Sequence, residues 1–284
     1  MSSSVLVSSS PARLSPAEFD HLVKLVYEQC GINLTPAKKV MLESRLTKRL
    51  RSLSLTGFKE YIDFLKTKGG IEQELIHMID VVTTNKTDFF REPHHFDFMK
   101  STVLPEFQSK HNGSRPFKIW SSACSTGEEP YTMAMVLQEF ANQHPSFTYN
   151  ILASDISTQV LQRASTAVYS ENHVAPLPLS MKQKYLLRSK DQEKPTVRII
   201  PKLRERVSFL RVNLMDSSWK IEDQDVIFCR NVLIYFDRKT QIDVVTKLVN
   251  KLRPGGLLVI GHSESLHSFD LPLTQIKPTI FIKE

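Results

Sequence analysis

Between Ser15 and about Met78 the apolar residues recur at helical spacing, with no strand-like alternation. Ser15-Pro16 predicts a helix start ahead of Phe19, Leu22, Val23 and Val26, and Gly31 predicts its end. Thr35-Pro36 opens a second helix, whose Leu42, Leu46, Leu50 and Leu53 form a stripe to be buried. Lys38, Arg45 and Arg49 fall within roughly 40° of one another on a different face of that helix, and Lys48 and Arg51 widen the basic surface. Further helices are expected over Phe58 to Leu65 and Ile71 to Val82, with Gly69-Gly70 as the break between them. Residues 15–80 therefore read as an all-α domain. Residues 1–14 are serine-rich and lack both a basic n-region and a continuous apolar core, so a disordered tail is expected there rather than a signal peptide.

From about Phe117 the rhythm becomes strand, turn, helix, repeated, which predicts an α/β domain over residues 81–284 with a doubly wound, mostly parallel sheet. The strands are expected at Lys118 to Trp120, Ile151 to Asp155, Val207 to Leu214, Val226 to Cys229 and Leu257 to Ile260. Ser157 caps a helix carrying Val160, Leu161 and Ala164, and Asp237 caps another carrying Ile242, Val245, Leu248, Val249 and Leu252, which Pro254-Gly255-Gly256 stops. Leu273 to Ile276 and Thr279 to Ile282 read as a terminal antiparallel pair. Residues 169–206 break the alternation with Pro176, Pro178, Pro195 and the short β-like run Val197 to Ile200, so a small inserted subdomain is expected there.

The 284 residues, 41% hydrophobic, suffice for a large domain with a smaller one attached. A formal charge of +7 points to an acidic partner. Cys30, Cys124 and Cys229 are odd in number, far apart and without C-x-x-C spacing, which supports neither a disulfide framework nor a zinc site and suits a reducing cytoplasm. No apolar run approaches the length of a membrane span, so no membrane insertion is expected.

In an open parallel sheet the ligand sits beyond the carboxyl ends of the strands. The first strand runs into Ser121-Ser122-Ala123-Cys124-Ser125-Thr126-Gly127-Glu128-Glu129-Pro130-Tyr131, a turn with a single glycine and a helix start with two carboxylates. Phosphate loops use several glycines, and paired acids repel an anion while suiting a helix N-terminus. A guest with a cation and hydroxyls fits better, as S-adenosylmethionine does. By itself the pair is equally consistent with an ordinary helix start that has Pro130 in its first turn. The other strand ends add Asp155, whose oxygens can accept from a ribose diol; Asn213, Leu214 and Asp216, suited to an adenine; and Arg230, Asn231 and Tyr235. Similar chemistry at four successive strand ends is more informative than any one of them.

Ahead of the first strand lies Thr83-Thr84-Asn85-Lys86-Thr87-Asp88-Phe89-Phe90-Arg91-Glu92-Pro93-His94-His95-Phe96. Asn85 and Thr87 are candidates to hydrogen-bond a cofactor, and the Arg91 fork suits a carboxylate. Adjacent His94 and His95 face different directions on a helix, which disfavours shared metal ligation and leaves them packing or capping roles; no metal site is expected.

Taken together, Thr84 to Glu92, Trp120 to Tyr131, Ser154-Asp155-Ile156 and Phe228-Cys229-Arg230-Asn231-Val232-Leu233-Ile234-Tyr235-Phe236 closely resemble the chemotaxis receptor methyltransferases, the CheR family. The resemblance runs from about Ser15 to the C-terminus, and Leu252-Arg253-Pro254-Gly255-Gly256 adds a turn shared more widely among class I methyltransferases. It implies a class I S-adenosylmethionine-dependent methyltransferase domain with an all-α N-terminal domain and a small inserted antiparallel β-subdomain. It further implies transfer of a methyl group from S-adenosylmethionine to glutamate side chains of membrane chemoreceptors. By motif position Asn85, Thr87, Arg91, Glu129, Asp155, Asn213, Leu214, Arg230 and Asn231 would line the cofactor site, with Arg91 and Tyr235 nearest the methyl group. Glu128 is the alternative to Glu129.

Receptor segments methylated by this family are acidic helical bundles, against which Lys38, Arg45, Lys48, Arg49 and Arg51 could dock. Some members bind a receptor's C-terminal peptide on the β-subdomain, and a glycine-rich turn is expected in those members; Ser189-Lys190-Asp191-Gln192-Glu193-Lys194-Pro195-Thr196 has no glycine. A nucleic-acid methyltransferase is the enzymatic rival, but Arg230-Asn231-Val232-Leu233 lacks the Asn/Asp-Pro-Pro-aromatic run that would hold a base amine, and no nucleic-acid partner is expected. The expected protein is a cytoplasmic monomer.

Overall fold

Ser15 opens the first helix through a reciprocal capping box: its hydroxyl accepts from the Glu18 N–H, while the Glu18 carboxylate accepts from the Ser15 N–H. The computed structural model describes residues 12–191, 193–267 and 269–284. Its chain divides into two compact units between Thr84 and Asn85. Most of the expected N-terminal tail lies outside the described residues. Its last residue, Leu14, is buried and donates its N–H to Glu43 Oε1 at 2.9 Å, so this residue belongs to the helical unit.

The first unit holds α1 (Pro16–Cys30), α2 (Lys39–Ser52), α3 (Phe58–Lys66) and α4 (Lys68–Val82). Gly31 ends α1 in the left-handed region at φ 71°, and a 3-10 turn (Pro36–Lys38) leads into α2. Leu22, Leu42, Leu46, Leu50, Tyr61 and Met78 are fully enclosed, whereas Leu53, just past the end of α2, is half-buried. The break between α3 and α4 falls on Thr67, not on Gly69-Gly70. Thr67 is extended and its hydroxyl accepts from the Gly70 N–H, which leaves both glycines inside the first turn of α4.

Two of the basic residues expected to face a partner are taken up by this unit. Arg49 donates through Nε and Nη2 to the buried Glu74, each at 2.8 Å. Arg45 donates through Nη1 to the Val82 and Thr83 carbonyls at 2.6 and 2.8 Å, closing the C-terminus of α4. Their spacing on α2 matched a surface stripe, but α4 lies within reach and offers each a partner.

The second unit opens with α5 (His94–Phe98), a π-helical turn (Met99–Val103) and α6 (Leu104–His111). The alternation follows as β1 (Phe117–Ser121), α7 (Glu128–Gln143), β2 (Tyr149–Asp155) and α8 (Thr158–Thr166). Next come β3 (Val168–Ser170), α9 (Leu179–Tyr185), β4 (Leu186–Arg188), β5 (Thr196–Ile199) and α10 (Pro201–Arg204). The chain then returns through β6 (Val207–Arg211), β7 (Gln224–Cys229), α11 (Arg238–Asn250), β8 (Leu252–Ile260), β9 (Leu273–Lys277) and β10 (Ile280–Lys283).

The described strands form a seven-stranded sheet in the order β6-β2-β1-β7-β8-β10-β9 and a three-stranded sheet in the order β3-β5-β4. In the large sheet β10 runs antiparallel to its neighbours and the other pairs are parallel; the small sheet is antiparallel throughout. Successive residues of the central strands enter opposite cores. Ile119, Phe228 and Val259 join Met133 and Val136 of α7, while Trp120, Ile227 and Leu258 join Val245 and Leu248 of α11. Burial on both faces is why these strands read as nearly continuous apolar runs.

Two strand boundaries differ from expectation. β6 ends at Arg211, before Asn213 and Leu214, which places those residues in the following loop. β8 begins at Leu252, because a register shift between Gln224 and Val226 lets Pro254-Gly255-Gly256 lie inside the pairing instead of before it. Among the described residues no helix is long and apolar enough to cross a membrane. Cys30, Cys124 and Cys229 are free and buried, and burial raises all three thiols, Cys30 to about 11.

Candidate active site

Strands β2, β1 and β7 lie side by side, so their carboxyl ends bring Asp155, the turn from Ser122 to Gly127 and Arg230 to one rim. The turn closes through Gly127 at φ 98°. A Cβ there would stand 2.9 Å from both the Ala164 Cβ and the Tyr169 hydroxyl, so backbone angle and space both exclude a side chain. Asp155 braces the same turn, its Oδ2 accepting from the Ser125 N–H at 2.9 Å and its Oδ1 from the Ser157 N–H at 3.0 Å.

Glu129 stands at the start of α7, where Oε1 accepts from the Ser121 hydroxyl at 2.7 Å and Oε2 from Arg230 Nη1 at 2.8 Å. The Arg230 side chain is 2% exposed, donates through Nη2 to the Arg91 carbonyl at 2.6 Å and lies 3.2 Å from Glu92 Oε2. One enclosed guanidinium thus fastens α7 to the Arg91-Glu92 bend. Burial alone would raise the Glu92 carboxyl, but the Arg230 charge and a bond from the His262 backbone outweigh it and hold Glu92 below its ordinary range. Asn231, at φ 58°, extends the network by donating through Nδ2 to Glu92 Oε1 at 3.4 Å.

The remaining sequence candidates attach to this rim with different firmness. The Asn85 carbonyl accepts from the Ser125 hydroxyl at 2.8 Å, and Thr87 is half-buried two residues further on. Arg91 Nη1 donates to the Lys86 carbonyl at 3.0 Å. That bond uses one nitrogen of the guanidinium fork on a backbone group. Val212 N–H donates to the Asp155 carbonyl, which sets Asn213 and the buried Leu214 beside the end of β2. Tyr235 is half-buried on a 3-10 turn (Leu233–Tyr235). Glu128 turns the other way: its carboxylate is buried against the Thr126 hydroxyl and lies 2.8 Å from His173 Nε2, and burial raises it. Lys38, Lys48 and Arg51 belong to the first unit and are exposed.

Two residues that hold the rim had no signal in the sequence. Lys247 Nζ donates from α11 to the Leu214 and Asp216 carbonyls at 2.6 and 2.7 Å, over the Trp219 ring, and so fixes the loop after β6. Glu264 accepts backbone N–H groups from the loop after β7. Each works across a long sequence separation that no local spacing rule reports.

Residues 85–282 match the family description "CheR methyltransferase, SAM binding domain", and residues 17–83 match "CheR methyltransferase, all-alpha domain". The chain belongs to the CheR family. A chemotaxis protein methyltransferase of Borreliella burgdorferi is 41% identical over 271 residues, covering 94% of each chain. Those of Salmonella typhimurium and Escherichia coli are 38% and 36% identical, over 89% and 94% of this chain and 85% and 91% of theirs. The cofactor of the CheR domain is S-adenosylmethionine, which supplies a methyl group made electrophilic by its sulfonium. The rim fits it: the Glu129 and Asp155 carboxylates make it acidic, which suits a cationic donor, and the turn at Gly127 lacks the repeated glycines of a phosphate cradle.

Beneath this rim the CheR domain encloses a neutral histidine. His95 is 1% exposed, with Nε2 2.7 Å from the Thr279 hydroxyl. Burial, followed by Arg230, His94 and His262, lowers it from 6.5 to about 2. Between those values the unfolded chain holds a proton that the fold does not, so stability falls as pH drops below about 6.5, by at most about 1.4 kcal/mol per pH unit. His95→Phe should flatten that limb in urea unfolding followed from pH 7 to 5, as compared with the parent. An unchanged slope would assign the acid sensitivity to other groups.

Proposed function

We propose that this CheR protein esterifies glutamate side chains on the cytoplasmic helices of chemoreceptors. The observation that carries this is the Arg230 network, which draws Glu129, Arg91, Glu92 and Asn231 from three separate segments onto one rim. In this reading Glu129 would meet the donor's ammonium and Asp155 its ribose, Asn213 and Leu214 would contact the adenine, and Asn85 and Thr87 would hydrogen-bond the donor. Arg91 and Tyr235 would lie nearest the transferred methyl. Glu129, which lies on the rim beside Arg230, is preferred to Glu128, whose carboxylate turns toward His173 beyond the small-sheet strand β3.

A glutamate carboxylate is already ionised near pH 7, so its attack on a methyl group requires no general base. What the protein contributes is orientation and dehydration. Half-buried Arg91 and Tyr235 can align the incoming carboxylate, while the enclosed Arg230 keeps the rim rigid without entering the reaction. The test is to incubate the protein with methyl-labelled donor and a receptor cytoplasmic fragment, then treat with mild alkali. Release of protein-bound label as methanol is expected; alkali-stable label, or label in added nucleic acid, overturns the assignment.

Docking then falls to the basic residues of the α2 region that remain exposed, Lys38, Lys48 and Arg51. Lys48→Glu with Arg51→Glu should lower kcat/KM for the receptor fragment roughly tenfold at low salt, with donor affinity unchanged and the deficit shrinking at high salt. A deficit that is independent of salt would remove electrostatic docking from the account. The proposal extends to a protein that acts in the cytoplasm, which suits its three free thiols, and as a monomer.

A further inference from the structure

Behind the rim lies a carboxylate that methyl transfer does not consume. Glu264 is 8% exposed and accepts four backbone N–H groups, from Gly261 at 2.6 Å, Asn231 at 2.9 Å, Val232 at 2.9 Å and Leu233 at 2.7 Å. Three of these donors are consecutive. Asn231 is left-handed at φ 58°, and Val232 follows at φ −122°, ψ −34°. A left-handed residue next to one on the right-handed side turns successive N–H groups toward one point, forming a concave nest for an anion. Here the anion is the chain's own side chain.

The fit is close on every side. A Cβ on Gly261 would lie 2.6 Å from Asn231 Nδ2 and 2.9 Å from both the Asn231 nitrogen and Glu264 Oε2, so only glycine lets this strand end approach. The nest also forms the base of the next element. Leu233, its last donor, begins the 3-10 turn that carries Tyr235, and the Asn231 side chain reaches Glu92 in the Arg230 network.

We propose that Glu264 is a positioning residue for methyl transfer, its carboxylate filling the nest so that Asn231 and Tyr235 are held at the donor site. This rests on the assignment of Asn231 and Tyr235 to that site. Without the anion, three N–H groups converge on a point with no acceptor, and the loop relaxes to separate them. A displacement of about 1 Å at a reacting site can cost on the order of a hundredfold in rate.

Glu264→Ala removes a fragment equivalent to acetate, which can be returned from solution. The variant should bind S-adenosylhomocysteine at least about tenfold more weakly than the parent and methylate a receptor fragment with lowered kcat. Acetate should restore part of both, whereas chloride at the same ionic strength should not. Glu264→Gln, nearly isosteric but presenting an amide NH2 to some of the donors, should show the loss without rescue and provides the test should the alanine variant not fold. Parental binding and turnover in both variants would overturn the proposal, as would a loss that acetate leaves untouched and that follows the melting temperature alone. Failure of the parent itself to bind S-adenosylhomocysteine would strike the underlying site assignment instead.

Discussion

Arg230→Met should abolish measurable binding of S-adenosylmethionine and remove about 3–5 kcal/mol of stability from the methyltransferase unit. The guanidinium is 2% exposed and stands between Glu92 and Glu129, whose side chains are themselves only 10% and 12% exposed. Removing it leaves two neighbouring carboxylates without their counter-charge in a place that water reaches poorly, and frees the Arg91 carbonyl from its donor. Glu92, no longer held low, becomes subject to the burial that raises it. The stability deficit should therefore be largest at neutral pH and shrink as pH falls and the carboxylates take up protons. Urea unfolding at pH 7.5 and pH 5, with calorimetric titration of the donor, measures both effects. If the variant is as stable as its parent at pH 7.5, the network has no organising role.

In the helical unit the corresponding substitution is Arg49→Met, expected to cost about 3 kcal/mol. The Glu74 side chain is 2% exposed and accepts both Arg49 bonds as well as the Tyr61 hydroxyl at 2.9 Å. After the substitution only the tyrosine remains to satisfy that charge. Charge reversal, Arg49→Glu, sets a second carboxylate against the first and should be worse. Loss of receptor methylation in an Arg49 variant would thus report an opened helical unit rather than a lost docking contact. Hydrogen exchange over α2 to α4 of the full-length protein distinguishes the cases: Arg49→Met should accelerate exchange there, while exposed Lys48→Glu should stay within about 0.5 kcal/mol of the parent. Equal acceleration in both would remove the distinction drawn between the two side chains.

Features set by neighbours in sequence were legible without coordinates. Ser15, Ser157 and Asp237 each accept an N–H within the first turn of the helix that follows, which is a local property of the chain. The central strands were legible because both faces are buried, so Ile119-Trp120, Ile151 to Ala153, Val226 to Cys229 and Leu257 to Ile260 read as unbroken apolar runs. The residues after each strand could be named because a parallel sheet always presents its carboxyl ends on one side. What escaped depended on partners distant in sequence. Arg45 and Arg49 carry the spacing of a surface stripe, and nothing local reveals that α4 and the residue capping it supply a carboxylate and two carbonyls for them. Pro254-Gly255-Gly256 has the composition of a stop, and only the register shift opposite it keeps it in the sheet. Glu264 and Lys247 were unreadable for the same reason: Lys247's acceptors, and all the Glu264 donors but Gly261, lie on loops more than thirty residues away.

The three enclosed thiols make the chain its own reporter. Cys30 belongs to the helical unit, while Cys124 and Cys229 sit in the methyltransferase unit, within the rim turn after β1 and at the end of β7. Buried and raised in pKa, none offers a thiolate to an alkylating reagent while its surroundings stay closed. The rate at which each becomes labelled is then a clock for the opening of its own neighbourhood, read by mass spectrometry without adding a probe. Donor binding should slow the clocks at Cys124 and Cys229, and a receptor fragment seated on α2 should slow the one at Cys30, separating two binding events within a single measurement.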